Sequence, residues 1–278
     1  MHQARKRFGQ HFLHDPGVIG RIVAAIAPQP QDRMVEIGPG LGAITLPLLA
    51  QLNQLHAVEI DRDAIRHLRE LTGNDPRLHI HSADVLEFSL AHIYDAPDPA
   101  ASPPHAGPGR RLRVVGNLPY NISTPLLFHL IKQREHILDM HFMLQKEVVD
   151  RMAAAPDSEH YGRLTVMLAP WVRVQPLFDI GPGAFRPPPR VVSTVVRLTP
   201  HETPLDIGEP GHFASVVAAA FNQRRKTLRN SLKQLLDAED IVAAGIDPGL
   251  RAEVLSPAQF VALGRRLAVK PTAASSGL

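Results

Sequence analysis

Short apolar segments alternate with amphipathic segments over the first two-thirds of the chain. The apolar or alternating runs predict β-strands at Arg33–Ile37, Gln54–Ile60, Leu78–Ala83, Arg111–Gly116 and Asp139–Leu144. The segments between them have helical spacing of apolar residues, at Ala43–Leu52, Arg62–Thr72, Ser123–His136 and Lys146–Ala155. This alternation predicts a mostly parallel sheet with helices on both faces.

The pattern changes after the fifth predicted strand. Two strand-like runs, Leu164–Val174 and Val191–Leu198, are separated by a proline-rich loop and no helix. They predict an antiparallel pair that completes the sheet. The proline-rich segment Asp95–Arg110 predicts a surface loop. Ser123, followed by Pro125, is typical of a helix start at which the serine caps the first turn.

A polar segment, Pro200–Glu209, marks a predicted domain boundary, so we place domains at 1–201 and 202–278. Beyond the boundary the pattern is helical. We predict helices at His212–Leu236 and Pro248–Leu255, and a third that is capped by Ser256 and begins at Pro257.

The composition is that of a globular protein with a packed core, with 44% apolar and 21% charged residues over a length of 278. No apolar stretch approaches the roughly 18 residues of a membrane-spanning helix. The N-terminal segment lacks the apolar region of a secretory signal. Cysteine is absent, which excludes disulfides, thiolate metal ligands and cysteine nucleophiles. We therefore expect a cytoplasmic protein.

The net charge is only +3, but the cations are clustered. Two groups contain no acid: Arg5, Lys6 and Arg7, and then Arg224, Arg225, Lys226, Arg229 and Lys233. Such groups bind polyanions, because each phosphate contact releases a condensed counterion. Short basic runs are also ordinary solvated surface, so charge alone leaves both interpretations open.

A glycine-rich turn, from Gly38 to Gly42, joins the first predicted strand to a helix. Glycine at such a turn lets a ligand approach the backbone where a Cβ atom would clash. The spacing of Gly38, Gly40 and Ala43 also fits the dinucleotide fingerprint, and a plain tight turn could have the same residues. The motif predicts an adenosine cofactor without distinguishing a nicotinamide dinucleotide from S-adenosylmethionine.

Acidic residues follow the next two predicted strands. Glu59 ends the second strand, where a carboxylate can accept hydrogen bonds from both ribose hydroxyls. Asp84 follows the third strand and could accept from the exocyclic amine of adenine, or it could cap a helix. A dinucleotide site rarely needs a further acid here, so Asp84 favours S-adenosylmethionine.

The sequence Asn117-Leu118-Pro119-Tyr120 follows the fourth strand, at the sheet edge where α/β proteins bind ligands. A purine amine is a poor nucleophile because its lone pair is delocalised. The Asn117 side chain and a main-chain carbonyl could each accept one N–H and direct that lone pair at a methyl group. Pro119 restrains the backbone, and Tyr120 offers a stacking face worth about 1–3 kcal/mol. A simple turn is the alternative.

Six long blocks occur in order: RKRFGQHFLHDP, VEIGPGLGAIT, NLPYNISTPLLFHL, MLQKEVVDRM, FRPPPRVVSTVVRL and AFNQRRKTLRNSL. With them the chain closely resembles the bacterial small-subunit rRNA adenine N6,N6-dimethyltransferases over nearly its whole length. The resemblance implies a class I S-adenosylmethionine-dependent methyltransferase. Its domain at 1–201 would be Rossmann-like α/β, with an antiparallel edge pair, and 202–278 would be a helical rRNA-binding domain. The implied substrate is a pair of adjacent adenosines in the 3′-terminal hairpin loop of 16S rRNA, within an assembling small ribosomal subunit.

The resemblance also implies which residues contact the cofactor: His11, Leu13, Gly38, Glu59, Asp84 and Asn117, to which the glycine turn adds Gly40. His11 departs from the family pattern, which has Asn at this place. A neutral imidazole has one donor and one acceptor on separate ring nitrogens, but it cannot present both side by side as the planar amide of Asn does. We therefore expect cofactor binding to survive through backbone contacts, with lower affinity.

The loop Phe185–Arg190 is the second implied part of the active site. The resemblance implies that Phe185 stacks on the target base opposite Tyr120. A stiff proline-rich loop with Arg186 and Arg190 also suits a splayed-out base and its phosphates. The alternative is that Phe185 is a hydrophobic plug.

Arg225, Arg229 and Lys233 recur at i, i+4 and i+8 in the predicted helix His212–Leu236. On a helix this spacing predicts one basic ridge, suited to the rRNA backbone.

Three other functions stay open: a large-subunit rRNA methyltransferase, a non-catalytic nucleic-acid-binding assembly factor and a dinucleotide oxidoreductase. The block AFNQRRKTLRNSL argues against the first, the intact NLPY motif against the second and the missing proton donor against the third. The 15 histidines lack metal-ligand spacing. We expect no metal ion, and a monomer.

Overall fold

The computed structural model describes residues 11–95, 111–119 and 122–270. Its strands are β1 Phe12–Leu13, β2 Met34–Ile37, β3 Leu55–Glu59, β4 Leu78–Ser82, β5 Leu112–Asn117, β6 Ile137–Gln145, β7 Val172–Ile180, β8 Phe185–Arg186 and β9 Ser193–Pro200. Its helices are α1 Pro16–Ile26, α2 Thr45–Leu49, α3 Arg62–Leu71, α4 Ala91–Tyr94, α5 Ser123–Ile131, α6 Lys146–Ala153, α7 Arg163–Leu168, α8 Pro210–Asn222, α9 Leu228–Ser231, α10 Ala238–Ala243 and α11 Pro257–Val269. Arg5, Lys6, Arg7, Tyr120 and most of the predicted loop Asp95–Arg110 lie outside the described residues.

Seven strands form one sheet in the order β4-β3-β2-β5-β6-β9-β7. The strands from β4 to β6 are mutually parallel, and β9 is antiparallel to β6. All five strands predicted from alternation are therefore confirmed, as is the mostly parallel sheet. Because parallel strands end at the same edge, the loops after β2, β3, β4 and β5 converge there.

The chain divides into two compact units, 1–149 with 174–200 and 150–173 with 201–278. The sequence placed a boundary near residue 201 but missed that Asp150–Arg173 belongs to the second unit. The prediction of a strand at Leu164–Val174 is wrong, because this run forms helix α7 and a strand begins only at Val172. Val166 of α7 is buried in the apolar core of the second unit, beside residues such as Phe213. A short buried run has no periodicity that separates helix from strand.

The second unit is mainly helical. The predicted helix His212–Leu236 is broken, because α8 ends at Asn222 and α9 spans only Leu228–Ser231. Between the two helices, Thr227 forms an isolated antiparallel bridge with Arg251. The predicted helix Pro248–Leu255 is only a 3₁₀ turn at Ala252–Val254. Contacts between segments distant in sequence therefore override the local helical pattern here.

Helix starts are only partly as predicted. Ser256 accepts a hydrogen bond from the Gln259 amide and caps α11 at Pro257, as expected. Ser123 is the first residue of α5 and not its cap, a position held by Ile122. Helix α1 was missed, although Asp15 caps it and Pro16 begins it, a typical start signal.

Among the described residues, no helix is both long enough and apolar enough to cross a bilayer. In the same part of the chain, no group of three or more histidine or acidic residues is arranged to hold a metal ion.

Candidate active site

A cavity of about 170 Å³ lies where the parallel strands of the first unit end. Its walls come from the loops that follow β2, β3, β4 and β5, and from the short strand β1. It brings together every predicted cofactor contact: His11, Leu13, Gly38, Gly40, Glu59, Asp84 and Asn117. These residues are far apart in sequence, and the parallel sheet collects them at one edge.

The glycine turn after β2 forms the floor of the cavity. Gly38 and Gly40 both have positive φ, 62° and 54°, a region that side chains with a Cβ rarely adopt. A Cβ atom on Gly40 would also lie 3.5 Å from the Phe12 ring. The turn therefore requires glycine for its backbone conformation.

Glu59 is held in place by three backbone amides. Its Oε1 accepts from the amides of Ile60 and Asp61, both at 2.9 Å, and its Oε2 accepts from Gly40 at 3.4 Å. Burial raises the pKa of Glu59, and these amide hydrogen bonds oppose the rise. The result is a carboxylate of fixed orientation at the cavity wall.

Asp84 does not cap a helix, because a turn follows it, and its contact with the adenine amine stays a prediction. Its Oδ1 accepts from the Leu86 amide at 2.9 Å, so it stabilises the turn after β4. The residue is exposed and lines the cavity, so its carboxylate can reach a ligand as well.

Glu36 is an acid in the cavity wall that the sequence analysis did not place there. It lies in the middle of β2, is 1% exposed, and its Oε2 has no hydrogen-bond partner in the described structure. Burial, with a smaller contribution from the nearby Glu59 carboxylate, raises its pKa to about 8. An acid inside the apolar run MVEI is the signal that could have revealed it.

The charges around the cavity decide between the two cofactor classes. Glu36, Glu59, Asp61 and Asp84 line it, whereas no Lys or Arg among the described residues does. This set offers no cation to the pyrophosphate of a dinucleotide. It suits S-adenosylmethionine, whose sulfonium and ammonium groups are cationic.

Asn117, the last residue of β5, also lines the cavity. Its side-chain Nδ2 donates to the main-chain carbonyl oxygen of His11 at 3.1 Å. Leu118 and Pro119 also line the cavity, and the Leu118 amide donates to the Met143 carbonyl oxygen at 3.3 Å. The first three residues of the NLPY motif are thus at the cavity.

The segment that carries His11 is anchored by a two-stranded sheet. Strand β1 pairs antiparallel with β8, with Leu13 opposite Phe185. The His11 ring Nδ1 lies 2.8 Å from the Pro187 carbonyl oxygen and donates to it. His11 therefore presents its main chain to Asn117 while its ring contacts the proline-rich loop.

The predicted role of Phe185 needs correction. Phe185 is 2% exposed, does not line the cavity and packs in the core of the first unit with Leu13 and Ile180. Its ring does not form a second wall for a base in this structure, which favours the interpretation as a hydrophobic plug. Arg186 and Arg190 of the same loop are exposed.

The predicted basic ridge also needs correction. Arg225 and Lys226 lie in the turn between α8 and α9, Arg229 lies on α9, and Lys233 follows it. No single helix carries the three ridge residues, because the chain turns after Asn222. All five clustered cations are exposed, but Arg224 is paired with Glu253 at 3.2 Å.

Comparison with known proteins identifies the family. The sequence model of the Ribosomal RNA adenine dimethylase family matches residues 1–268. The chain belongs to this family. It is 56% identical to Ribosomal RNA small subunit methyltransferase A of Methylococcus capsulatus, over 96% of this chain and 98% of the relative. Identity to the protein of that name from Pseudomonas aeruginosa is 51%, over 97% of both chains.

Solved structures agree on the class I methyltransferase fold. A dimethyladenosine transferase from Plasmodium falciparum superposes with a TM-score of 0.74 at 23% identity, covering 91% of this chain and 96% of the other. The 23S rRNA methyltransferase ErmE superposes with a TM-score of 0.67 at 24% identity, covering 92% of this chain and 99% of the other. As a member of the dimethylase family, this chain is an rRNA adenine methyltransferase that uses S-adenosylmethionine.

Proposed function

We propose that this enzyme transfers two methyl groups to N6 of each of two adjacent adenosines in the 3′-terminal hairpin loop of 16S rRNA. It would do so in the cytoplasm, on an assembling small ribosomal subunit. Relatives at 51–56% identity carry a small-subunit name, which supports this substrate. The observation that carries the proposed chemistry is Asn117, held in one orientation at the wall of an acidic cavity.

Residues of the first unit would hold the cofactor. Glu59 would accept from the ribose hydroxyls, Asp84 from the adenine amine, and the backbone at Gly38 and Gly40 would permit close approach. Glu36 would lie in the wall beside the cofactor. S-adenosylmethionine, when bound, supplies an electrophilic methyl group.

Asn117 would activate the target amine. Its Nδ2 is engaged by His11, so its Oδ1 is the side-chain atom left to accept an N–H from adenine. The Leu118 main-chain carbonyl would accept the other N–H. Together they would draw the nitrogen towards tetrahedral geometry and direct its lone pair at the methyl group. The rate enhancement would come from orientation more than from acid–base catalysis.

The target base would have to leave the RNA loop to reach this cavity. Extrusion costs a few kcal/mol, and less for a base that is already single-stranded. Stacking on Tyr120 would offset part of that cost. The base would return for a second transfer after the first.

Exposed cations would bind the RNA backbone. In the second unit Arg225, Lys226, Arg229 and Lys233 are exposed and have no ion pair in the described structure. They supply affinity rather than sequence selection. The other basic residues predicted for RNA, Arg5, Lys6, Arg7, Arg186, Arg190 and Arg224, remain part of this proposal.

Methyl transfer from labelled S-adenosylmethionine to unmethylated small ribosomal subunits tests the function. Free 16S rRNA, large-subunit rRNA and DNA run in parallel, with nucleoside mass analysis of each product. We expect N6,N6-dimethyladenosine in the small subunit alone, at two adjacent positions.

Other outcomes would contradict specific parts of the proposal. Label in large-subunit rRNA, or monomethyladenosine alone, would keep methyl transfer and overturn the substrate or product. Cofactor binding without any transfer would indicate a non-catalytic assembly factor.

A further inference from the structure

A second, smaller cavity lies inside the first unit and is bounded by both Asn117 and His141. Its volume is about 20 Å³, and its other walls are apolar side chains, including Ile22 and Ile26 of α1 and Val195 of β9. A space of this size holds one water molecule. Asn117 thus borders the active-site cavity and also this internal one.

His141 is a buried polar side chain that makes no hydrogen bond to another described residue. It is 3% exposed, and neither ring nitrogen has a hydrogen-bond partner in the described structure. Burying such a group without a partner costs about 1–3 kcal/mol. We therefore expect a hydrogen-bond partner for His141 in the adjoining cavity.

Asp139 is the nearest acid, yet it does not satisfy His141. His141 Nδ1 lies 3.7 Å from Asp139 Oδ1, too far for a hydrogen bond. The Asp139 oxygens are occupied by Arg113 at 3.0 and 3.1 Å and by Arg197 at 3.4 Å. Burial, with Arg113 and Arg197 nearby, lowers the pKa of His141 to about 4 despite Asp139. A neutral imidazole keeps one donor and one acceptor.

Asn117 can supply a hydrogen-bond donor to this cavity. Its Nδ2 has two hydrogens, of which one is donated to the His11 carbonyl oxygen. In the sheet, His141 pairs with Val115 and Met143 with Asn117, so His141 and Asn117 are two positions apart along adjacent parallel strands. Alternate residues of a strand point to the same face, which puts both side chains on one side of the sheet.

We propose that His141 is a positioning residue for Asn117, acting through one water molecule in the cavity between them. The water accepts the second Nδ2 hydrogen of Asn117 and donates to the acceptor nitrogen of His141. With both hydrogens engaged, the amide of Asn117 has one orientation and its Oδ1 faces the substrate. This inference rests on the proposed role of Asn117.

The test compares the single-turnover rate of methyl transfer by the wild-type full chain with the rates of its His141→Phe and His141→Gln variants. The Phe variant fills the site without hydrogen bonding, whereas Gln keeps a donor and an acceptor. We expect the Phe variant to lower the rate at saturating substrate roughly tenfold, with the Kd for S-adenosylmethionine unchanged, and the Gln variant to restore most of the rate.

His56→Phe is the matched control, because His56 is another buried imidazole of the same sheet, paired with His81 at 3.0 Å and outside both cavities. We expect it to affect thermal stability without lowering the single-turnover rate. Equal rates for the wild type and His141→Phe, or equal losses in His141→Phe and His141→Gln, would overturn the inference.

A crystal structure of the wild-type chain supplies an independent readout that does not depend on turnover. An ordered water within hydrogen-bond distance of both His141 and Asn117 is expected, and a dry cavity would overturn the inference. If the wild type transfers no methyl group but the water is present, the proposed function fails while the link between the two residues stands.

Discussion

The Asn117 side-chain amide donates to the main-chain carbonyl oxygen of His11 across 3.1 Å and a separation of 106 residues. This bond ties the end of strand β5 to the segment before β1, which the pairing with β8 anchors. It distinguishes the two ends of the amide, because a carbonyl oxygen can only accept. Asn117 is therefore oriented by the backbone of a remote segment.

Replacing Asn117 tests that orientation. Asn117→Asp keeps the shape but cannot donate to His11, and Asn117→Ala removes both functions. We expect each to lower the single-turnover rate about 100-fold, because the amine loses a positioned acceptor. Cofactor affinity, measured by calorimetry, should fall much less. An active Asn117→Asp variant would contradict the assigned orientation.

His11→Asn restores the residue usual in the family. The contact with Asn117 uses the His11 main chain, which the substitution keeps, while the ring contact to Pro187 is lost. Because that main-chain contact is kept, we expect little change in the Kd for S-adenosylmethionine, measured by calorimetry, and not the lower affinity with His11 that the sequence alone suggested. A large loss of affinity would show that the His11 ring makes a cofactor contact of its own, and a large gain would show that the histidine weakens binding.

Glu36 makes stability depend on pH. Its folded-state pKa, about 8, is above the ordinary value of 4.5, so its contribution is fully present below pH 4.5 and is lost as pH rises towards 8. Without cofactor, the free energy of unfolding should fall across this window by at most about 5 kcal/mol. In Glu36→Gln this fall should disappear.

Urea unfolding of both proteins at intervals from pH 4.5 to 8.5 measures the difference, with the exposed Glu70→Gln as control. Parallel curves for wild type and Glu36→Gln would show that Glu36 is ionised in the fold at low pH.

The basic turn of the second unit should govern the salt dependence of RNA binding. Neutralising Arg225, Arg229 and Lys233 together to Gln should weaken small-subunit binding and reduce the slope of log K against log salt by about 2. A matched triple on α3, at Arg62, Arg66 and Arg69, removes the same charge from the first unit and should leave the slope unchanged. Equal slopes in the wild type and in the Arg225, Arg229 and Lys233 triple variant would show that RNA binds at another surface.

Local sequence by itself determined the alternation of strands and helices that forms the parallel sheet, and most of the residues that line the predicted cofactor cavity. The predicted strands place Gly38, Glu59, Asp84 and Asn117 at or just after the ends of four successive strands, and parallel strands must end together. The end of a strand can be located within one segment, because a short apolar or alternating run is followed there by turn or polar residues. For this reason these four predicted contacts reached one cavity, whereas His11 and Leu13 of the same cavity were predicted only from the resemblance to the family.

The tertiary structure decided what depends on contacts distant in sequence. The segment Arg163–Leu168 is helical and packs in the core of the second unit, and α8 ends at Asn222 before a turn that bridges Thr227 to Arg251. Phe185 is a core residue because β8 pairs with β1. A local sequence pattern does not show which distant segments will pack together, because burial and hydrogen bonding at one residue depend on the segment that folds against it.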